Sequence, residues 1–160
     1  MKCPRLLRIV LPAALLAAVV ACSKSSDVTG ANGALGRIAV SAPDSAVSGA
    51  SFRVDVSALN VGVQGIHNGM VQVTLPGPLT VSAVDASPGT SATFTGGPGA
   101  TVTWTLNTLD SNTQSTLHIT TAGTLPAGSA AMTVRIQASM TADGINPGDA
   151  TAFKDVQLTP

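Results

Sequence analysis

Phe52-Arg53-Val54-Asp55-Val56-Ser57-Ala58 alternates apolar and polar residues without a break. Successive side chains of a β-strand point to opposite faces. Phe52, Val54, Val56 and Ala58 therefore share one face, and Arg53, Asp55 and Ser57 the other. The same period of two recurs on both sides of this segment. Ile38, Val40 and Ala42 alternate with Arg37, Ala39 and Ser41. Val71, Val73 and Leu75 alternate with Gln72 and Thr74, and Val102, Trp104 and Leu106 with Thr101, Thr103 and Thr105. Leu117 and Ile119 alternate with Thr116, His118 and Thr120, and Met132, Val134, Ile136 and Ala138 with Thr133, Arg135, Gln137 and Ser139. Leu79 to Val84 and Phe153 to Leu158 are weaker strand candidates. Turn formers separate the runs: Pro43-Asp44-Ser45, Asn60 to Gly65, Pro76-Gly77-Pro78, Pro88-Gly89, Gly96-Gly97-Pro98-Gly99, Pro126 to Gly128, and Asp143 to Asp149.

Seven or eight short strands with one apolar face each must bury those faces against one another. The economical arrangement is an all-β fold, an Ig-like antiparallel β-sandwich of two sheets, with a small barrel as the alternative. Composition agrees: 44% of the residues are hydrophobic but only 10% charged, and no glutamate occurs among the 160. Val, Thr, Ser and Gly in short runs favour sheets over helices.

From Ser48 to Thr159 the order of elements resembles the bacterial surface-repeat, Ig-like family catalogued as domain of unknown function eleven. Ser48-Gly49 leads into a strand ending Asn60-Val61-Gly62. Then come Leu75-Pro76-Gly77-Pro78-Leu79-Thr80, Thr101-Val102-Thr103-Trp104-Thr105-Leu106 with Leu109, and Thr116-Leu117-His118-Ile119-Thr120. A late strand and a loop with Asp143 and Asn146-Pro147 close the pattern. Three features depart from it: Asn112 where a glycine is usual, an apparent insertion from Ala122 to Ala131, and Gly148-Asp149 in place of an Asn pair. Such domains usually occur as tandem copies, whereas one copy is found here, which argues against a long stalk. The resemblance implies an extracellular structural or interaction module without a reaction.

The first segment has a different character. Lys2, Arg5 and Arg8 precede an apolar run from Ile9 to Val20, too short for a membrane-spanning helix of about 20 residues and suited to a cleaved signal peptide. It ends Val19-Val20-Ala21-Cys22, which resembles the lipobox of bacterial lipoproteins. The resemblance implies cleavage before Cys22, lipid on its thiol, and attachment to a membrane through that anchor. The expected division is therefore a signal peptide over 1–21, a lipidated cysteine with a flexible tether over 22–36, and the domain over 37–160. Ser23 follows the cysteine where an Asp would resemble an inner-membrane retention signal, so the outer membrane is favoured in a cell with two. Removing the signal leaves five basic residues against eight aspartates, a net charge of −3. No basic cluster remains to neutralise phosphates, which disfavours nucleic-acid partners.

Candidate chemistry is sparse. His67, expected in a loop, and His118, expected on the polar face of a strand, are the only histidines. They read as solvated residues, although a two-His-one-Asp metal site is conceivable. Asp143, Asn146 and Asp149 could offer oxygen ligands to Ca²⁺, but a turn needs the same residue types and the spacing is not that of an EF-hand. Trp104, the sole tryptophan, shares a face with Val102 and Leu106, which places it in the core. No Gly-x-Ser-x-Gly elbow and no glycine-rich phosphate loop before a helix is found. The reading is a non-enzymatic, envelope-anchored lipoprotein without a cofactor, serving as a structural or protein-interaction module with an envelope protein as the expected partner. Binding of a small ligand or Ca²⁺ through the loops is the alternative.

Overall fold

A computed structural model describes residues 26–29, 33–145 and 150–160. They contain strands β1 (Ser26–Thr29), β2 (Leu35–Ser41), β3 (Ser45–Val47), β4 (Ser51–Asn60), β5 (Ile66–Thr74), β6 (Leu79–Ala86), β7 (Ser91–Phe94), β8 (Thr101–Leu109), β9 (Gln114–Gly123), β10 (Met132–Thr141) and β11 (Thr151–Thr159). Two sheets form, ordered β1-β2-β4-β9-β6 and β3-β11-β10-β5-β8-β7. The expected sandwich is thus found, with more strands than the alternation revealed. All pairings are antiparallel except that of β3 with β11.

The core follows the period-two pattern. Ile38, Val40, Val54, Val56, Ala58, Leu117 and Ile119 face inward from one sheet. Val71, Val73, Val102, Trp104, Leu106, Ile136, Ala138 and Val156 meet them from the other. Trp104 is fully buried, and its Nε1–H donates to Thr90 Oγ1 at 3.0 Å. That bond removes the cost of burying an indole N–H without a partner. Lys154 breaks the rule: it alternates inward with Ala152 and Val156, yet its ammonium reaches out to Asp44. A long aliphatic stem permits this, burying its methylenes while the charge stays near water.

Three expectations are corrected. The stretch 22–36 was expected as a tether, but β1 lies within it and pairs with β2, Thr29 opposite Leu35 and Ser26 opposite Ile38. β2 also begins at Leu35, ahead of the expected boundary at 37, and Ala34 is already buried. Ser-Asp-Val-Thr shows no amphipathic period because an edge strand is recruited by the backbone groups of its neighbour. Lastly, His67 stands in β5, not in a loop. The strand was hidden because β5 is bulged: the register with β8 shifts on both sides of Gly69, and Asn68 takes φ 53°. A Cβ on Gly69 would sit 3.1 Å from Leu106 Cβ, so the bulge brings its backbone close to the core.

Candidate functional site

The sharpest candidates from the sequence, Val19, Val20, Ala21 and Cys22, lie outside the described residues, as do Asn146 and Asp149. Asp143 is described. Its Oδ2 accepts from Asn68 Nδ2 at 2.9 Å, and its backbone N–H donates to His67 O at 3.1 Å. These are the bonds of a turn braced against a bulge. Among the described residues, no three His, Cys, Asp or Glu side chains gather as metal ligands. His67 and His118 are on different sheets, so the two-His arrangement does not form.

His118 instead belongs to a charged cluster on the outer face of the five-stranded sheet. Register places Asp55 of β4, His118 of β9 and Asp85 of β6 in one row. Asp55 Oδ1 accepts from Arg53 Nε at 2.5 Å and lies 2.6 Å from His118 Nδ1. Arg53 Nη2 is 2.5 Å from that same Nδ1. Partial burial alone would push the Asp55 carboxyl up, but the hydrogen bonds and charges of Arg53 and His118 outweigh it and hold the group below its usual range. The cationic guanidinium and the carboxylate compete for one ring nitrogen. Nδ1 accepts from Arg53 when unprotonated and donates to Asp55 when protonated. A catalytic Asp–His pair has its carboxylate on one ring nitrogen and a nucleophile on the other; here Arg53 shares the nitrogen that Asp55 occupies, and among the described residues no hydroxyl or thiol is bonded to Nε2. The sequence carried a signal for the cluster, since Arg53, Asp55 and His118 all occupy polar-face positions. It gave no register to bring them together.

A second feature was not foreseen. An open groove of about 440 Å³ lies at one end of the sandwich, between Gly77 and Pro78 on one side and Thr124, Leu125, Pro126, Ser129, Ala130 and Met132 on the other. Its lining bears no ionisable group, so its chemistry suits an apolar occupant. The neighbouring loops are stitched together through the backbone. Thr124 N–H donates to Pro78 O at 2.9 Å, Gly49 N–H to Gly123 O at 2.8 Å, and Gly99 N–H to Leu79 O at 3.3 Å. Ser48 Oγ accepts from Leu125 N at 3.0 Å. The segment read as an insertion, Ala122 to Ala131, therefore builds this end together with the Pro76-Gly77-Pro78 turn. Val47, Phe94 and Met132 are exposed large apolar residues of the same end, at 55%, 39% and 38%.

The opposite end is polar and internally tied. Asn60 is fully buried; its Nδ2 donates to Gln64 O at 2.7 Å and Leu109 O at 2.9 Å, and its Oδ1 accepts from Gly62 N at 2.9 Å. Ser111 Oγ donates to Gly62 O at 2.5 Å. Asn112, standing where the resembled family has a glycine, adopts φ 55°, a conformation asparagine tolerates better than most residues. These residues close loops and do not form a reactive centre.

No family model matches the chain, and no curated protein matches it in sequence. Solved structures share its fold. A cohesin module from a family 33 glycoside hydrolase of Clostridium perfringens superposes with a TM-score of 0.55 at 10% identity, covering 78% of this chain and 96% of that one. The CARDB domain of a Pyrococcus furiosus protein, in complex with di-metal ions, gives 0.52 at 16% identity, covering 86% and 89%. AvmM, which catalyses macrocyclization in alchivemycin A biosynthesis, gives 0.51 at 13% identity, covering 80% and 89%. The likenesses establish a sandwich that different proteins put to different uses.

Proposed function

We propose that the chain is an exported lipoprotein, anchored to the cell envelope through lipid on Cys22, whose β-sandwich acts as a non-enzymatic structural or protein-interaction module. The observation that carries this reading is the run from Lys2 to Cys22: positive residues, a short apolar stretch and Val19-Val20-Ala21-Cys22 in register. β1 begins at Ser26, so three residues separate the anchor from the first strand. Several acyl chains hold such a protein stably, where one would hold it marginally. In a cell with two membranes, Ser23 favours the outer one. The polar clusters support the non-enzymatic part, since each is accounted for by a turn, a bulge or a surface ion pair. The cohesin and CARDB likenesses are in keeping with a module, whereas AvmM puts the same fold to catalytic use.

Metabolic labelling with an alkyne-bearing palmitate tests the anchor. The wild-type chain takes up label and partitions with membranes, while Cys22→Ser takes up none and loses membrane association. An unlabelled wild-type chain, or one whose N-terminus begins before Cys22, would overturn the reading.

A further inference from the structure

The groove and the loops around it have no role in the fold that would require them to be free of charge. Residues 45–52, 75–84, 119–134 and 156–160 contain no Asp, Lys, Arg or His. Register gathers their ends at one tip of the sandwich, with Ser51 opposite Ala122, Leu79 opposite Gly123, and Met132 opposite Leu158. The loop from Thr95 to Ala100 joins the same tip through Gly99 and adds no charge. Val47, Phe94 and Met132 stand exposed there. The other end carries Asp110 and Asp143. The segments of one tip thus carry no charged side chain, with the Asp44–Lys154 pair at their border, and the other tip is acidic.

We infer that the neutral tip is a membrane-contacting surface that inserts into the lipid to which Cys22 is anchored. This rests on the lipoprotein reading and names which face of the module meets the bilayer. The path of the chain carries the argument. β1 runs from Ser26, beside Ile38, to Thr29, beside Leu35. Ile38 pairs with Ala58, and β4 runs from Ala58 back to Ser51 at the neutral tip. The chain therefore runs through β1 heading away from the neutral tip. Cys22 is four residues before Ser26, a reach of at most about 14 Å. The seven residues from Ala58 to Ser51 span about 23 Å. With the strands upright over the membrane, the tip extends roughly 10 Å beyond the farthest point Cys22 can reach toward it, near the roughly 5–10 Å at which interfacial elements bury their apolar faces. Unpaired acidic side chains could not be placed there at low cost; the one beside these segments, Asp44, is paired with the Lys154 ammonium. The ion pairs Arg53–Asp55 and Arg135–Asp155 lie a few residues behind Ser51 and Met132, at the height of lipid headgroups.

The experiment uses the acylated full chain in vesicles of phosphatidylethanolamine and phosphatidylglycerol with brominated acyl chains. A tryptophan is introduced by Val47→Trp, by Met132→Trp or, at the acidic end, by Val63→Trp, where the native side chain is 87% exposed. Trp104, fully buried, supplies a constant background. The expected result is roughly threefold quenching and a blue shift for the first two probes and neither for the third, since brominated chains quench only what enters the bilayer. Adding Ala127→Asp and Ala131→Asp should abolish the quenching at Val47→Trp. Mass spectrometry of the Cys22 peptide separates the two levels of the argument. An unacylated cysteine overturns the lipoprotein reading and this inference with it. An acylated chain whose Val47 and Met132 probes remain water-like overturns the inference alone. So does quenching at Val63→Trp, or occupation of the tip by an envelope protein that shields the probes from bromine.

Discussion

The two ends of the sandwich are held by different means. At the acidic end, a buried Asn60 fastens three backbone groups, Ser111 fastens Gly62, and Asn68 fastens Asp143. At the neutral end the loops lean on one another through main-chain bonds and through hydroxyls, those of Ser48, Thr95 and Thr121 among them, with Leu75, Leu79 and Leu125 turned inward and Val47, Phe94 and Met132 exposed. Side-chain bonds to backbone fix a loop and leave nothing over for a partner. Exposed Val, Phe and Met residues do the reverse: they are costly in water and stabilise only when something covers them. Val63 and Met70 are exposed toward the acidic end as well, so the ends differ chiefly in charge and in how firmly side chains tie their loops.

Truncation between the ends sets the scale for the comparison. Trp104→Ala should cost about 3–5 kcal/mol, as large aromatic truncations in cores do, and should loosen both ends together. Urea unfolding followed by far-UV circular dichroism reads the loss. A near-neutral mutant would mean that the sheets do not depend on the indole for their packing. At the acidic end, Asn60→Ala leaves Gly62 N, Gln64 O and Leu109 O without their side-chain partner. A loss of roughly 2–3 kcal/mol follows from stranding buried polar groups. Hydrogen exchange should show it concentrated in 60–65 and 109–113. If exchange instead quickened at 124–131, the two ends would not be independent.

Much of this was legible in the sequence, and the boundary has a physical cause. Alternation revealed every strand with a buried face of several residues, from Ile38 and Val40 to Phe153 through Leu158, and it put Trp104 in the core. It missed β1, β3 and β7, which have three or four residues each and are held at sheet edges by backbone pairing. It placed His67 in a loop because the bulge at Asn68 and Gly69 interrupts the period. The cluster of Arg53, Asp55 and His118 was visible as three polar-face residues. Bringing 53 and 118 together required the β4–β9 register, which the hydrophobic pattern does not supply. The neutral tip was equally hidden, because it is assembled from five segments far apart in the chain. The mark it left was the absence of charge from each.

The ion pairs behind the tips should contribute less than Asn60, and their contribution should depend on pH. Asp155 is held below its usual carboxylate range by the hydrogen bonds of Arg135, which grips it at 2.8 and 2.9 Å while stacking 4.1 Å over Phe153. Asp55 is depressed as well. A carboxylate whose folded pKa lies below its unfolded value stabilises above the unfolded value, and that stability is lost as pH falls through the folded one. Stability should therefore be flat near neutrality and decline below about pH 4, near the unfolded aspartate value. Arg53→Ala and Arg135→Ala should each make the acid decline shallower. Both pairs are exposed and screened, so 0.5 M salt should weaken them further. An acid decline unchanged in the double variant would assign it to other carboxylates.

The smallest expected effect on stability is the most telling for the comparison. Ala127 is exposed between Pro126 and Gly128, in a turn closed by Ser129 N–H to Pro126 O at 3.1 Å. Ala127→Asp removes no buried contact and breaks no backbone bond. In the isolated chain it should shift unfolding by no more than about 0.5 kcal/mol, the range of surface substitutions remote from caps and cores. Asp is also a favoured turn residue, so the local conformation tolerates it. Nothing in the folding of the module thus requires the tip to be neutral. Equal urea midpoints for Ala127→Asp and wild type, at neutral pH and across a tenfold range of protein concentration, would establish this. A midpoint that fell by more than about 1 kcal/mol, or that became concentration-dependent, would show the tip already covered, by its own loops or by a second copy. The neutral end would then be as closed as the acidic one, and the difference between them would be one of composition alone.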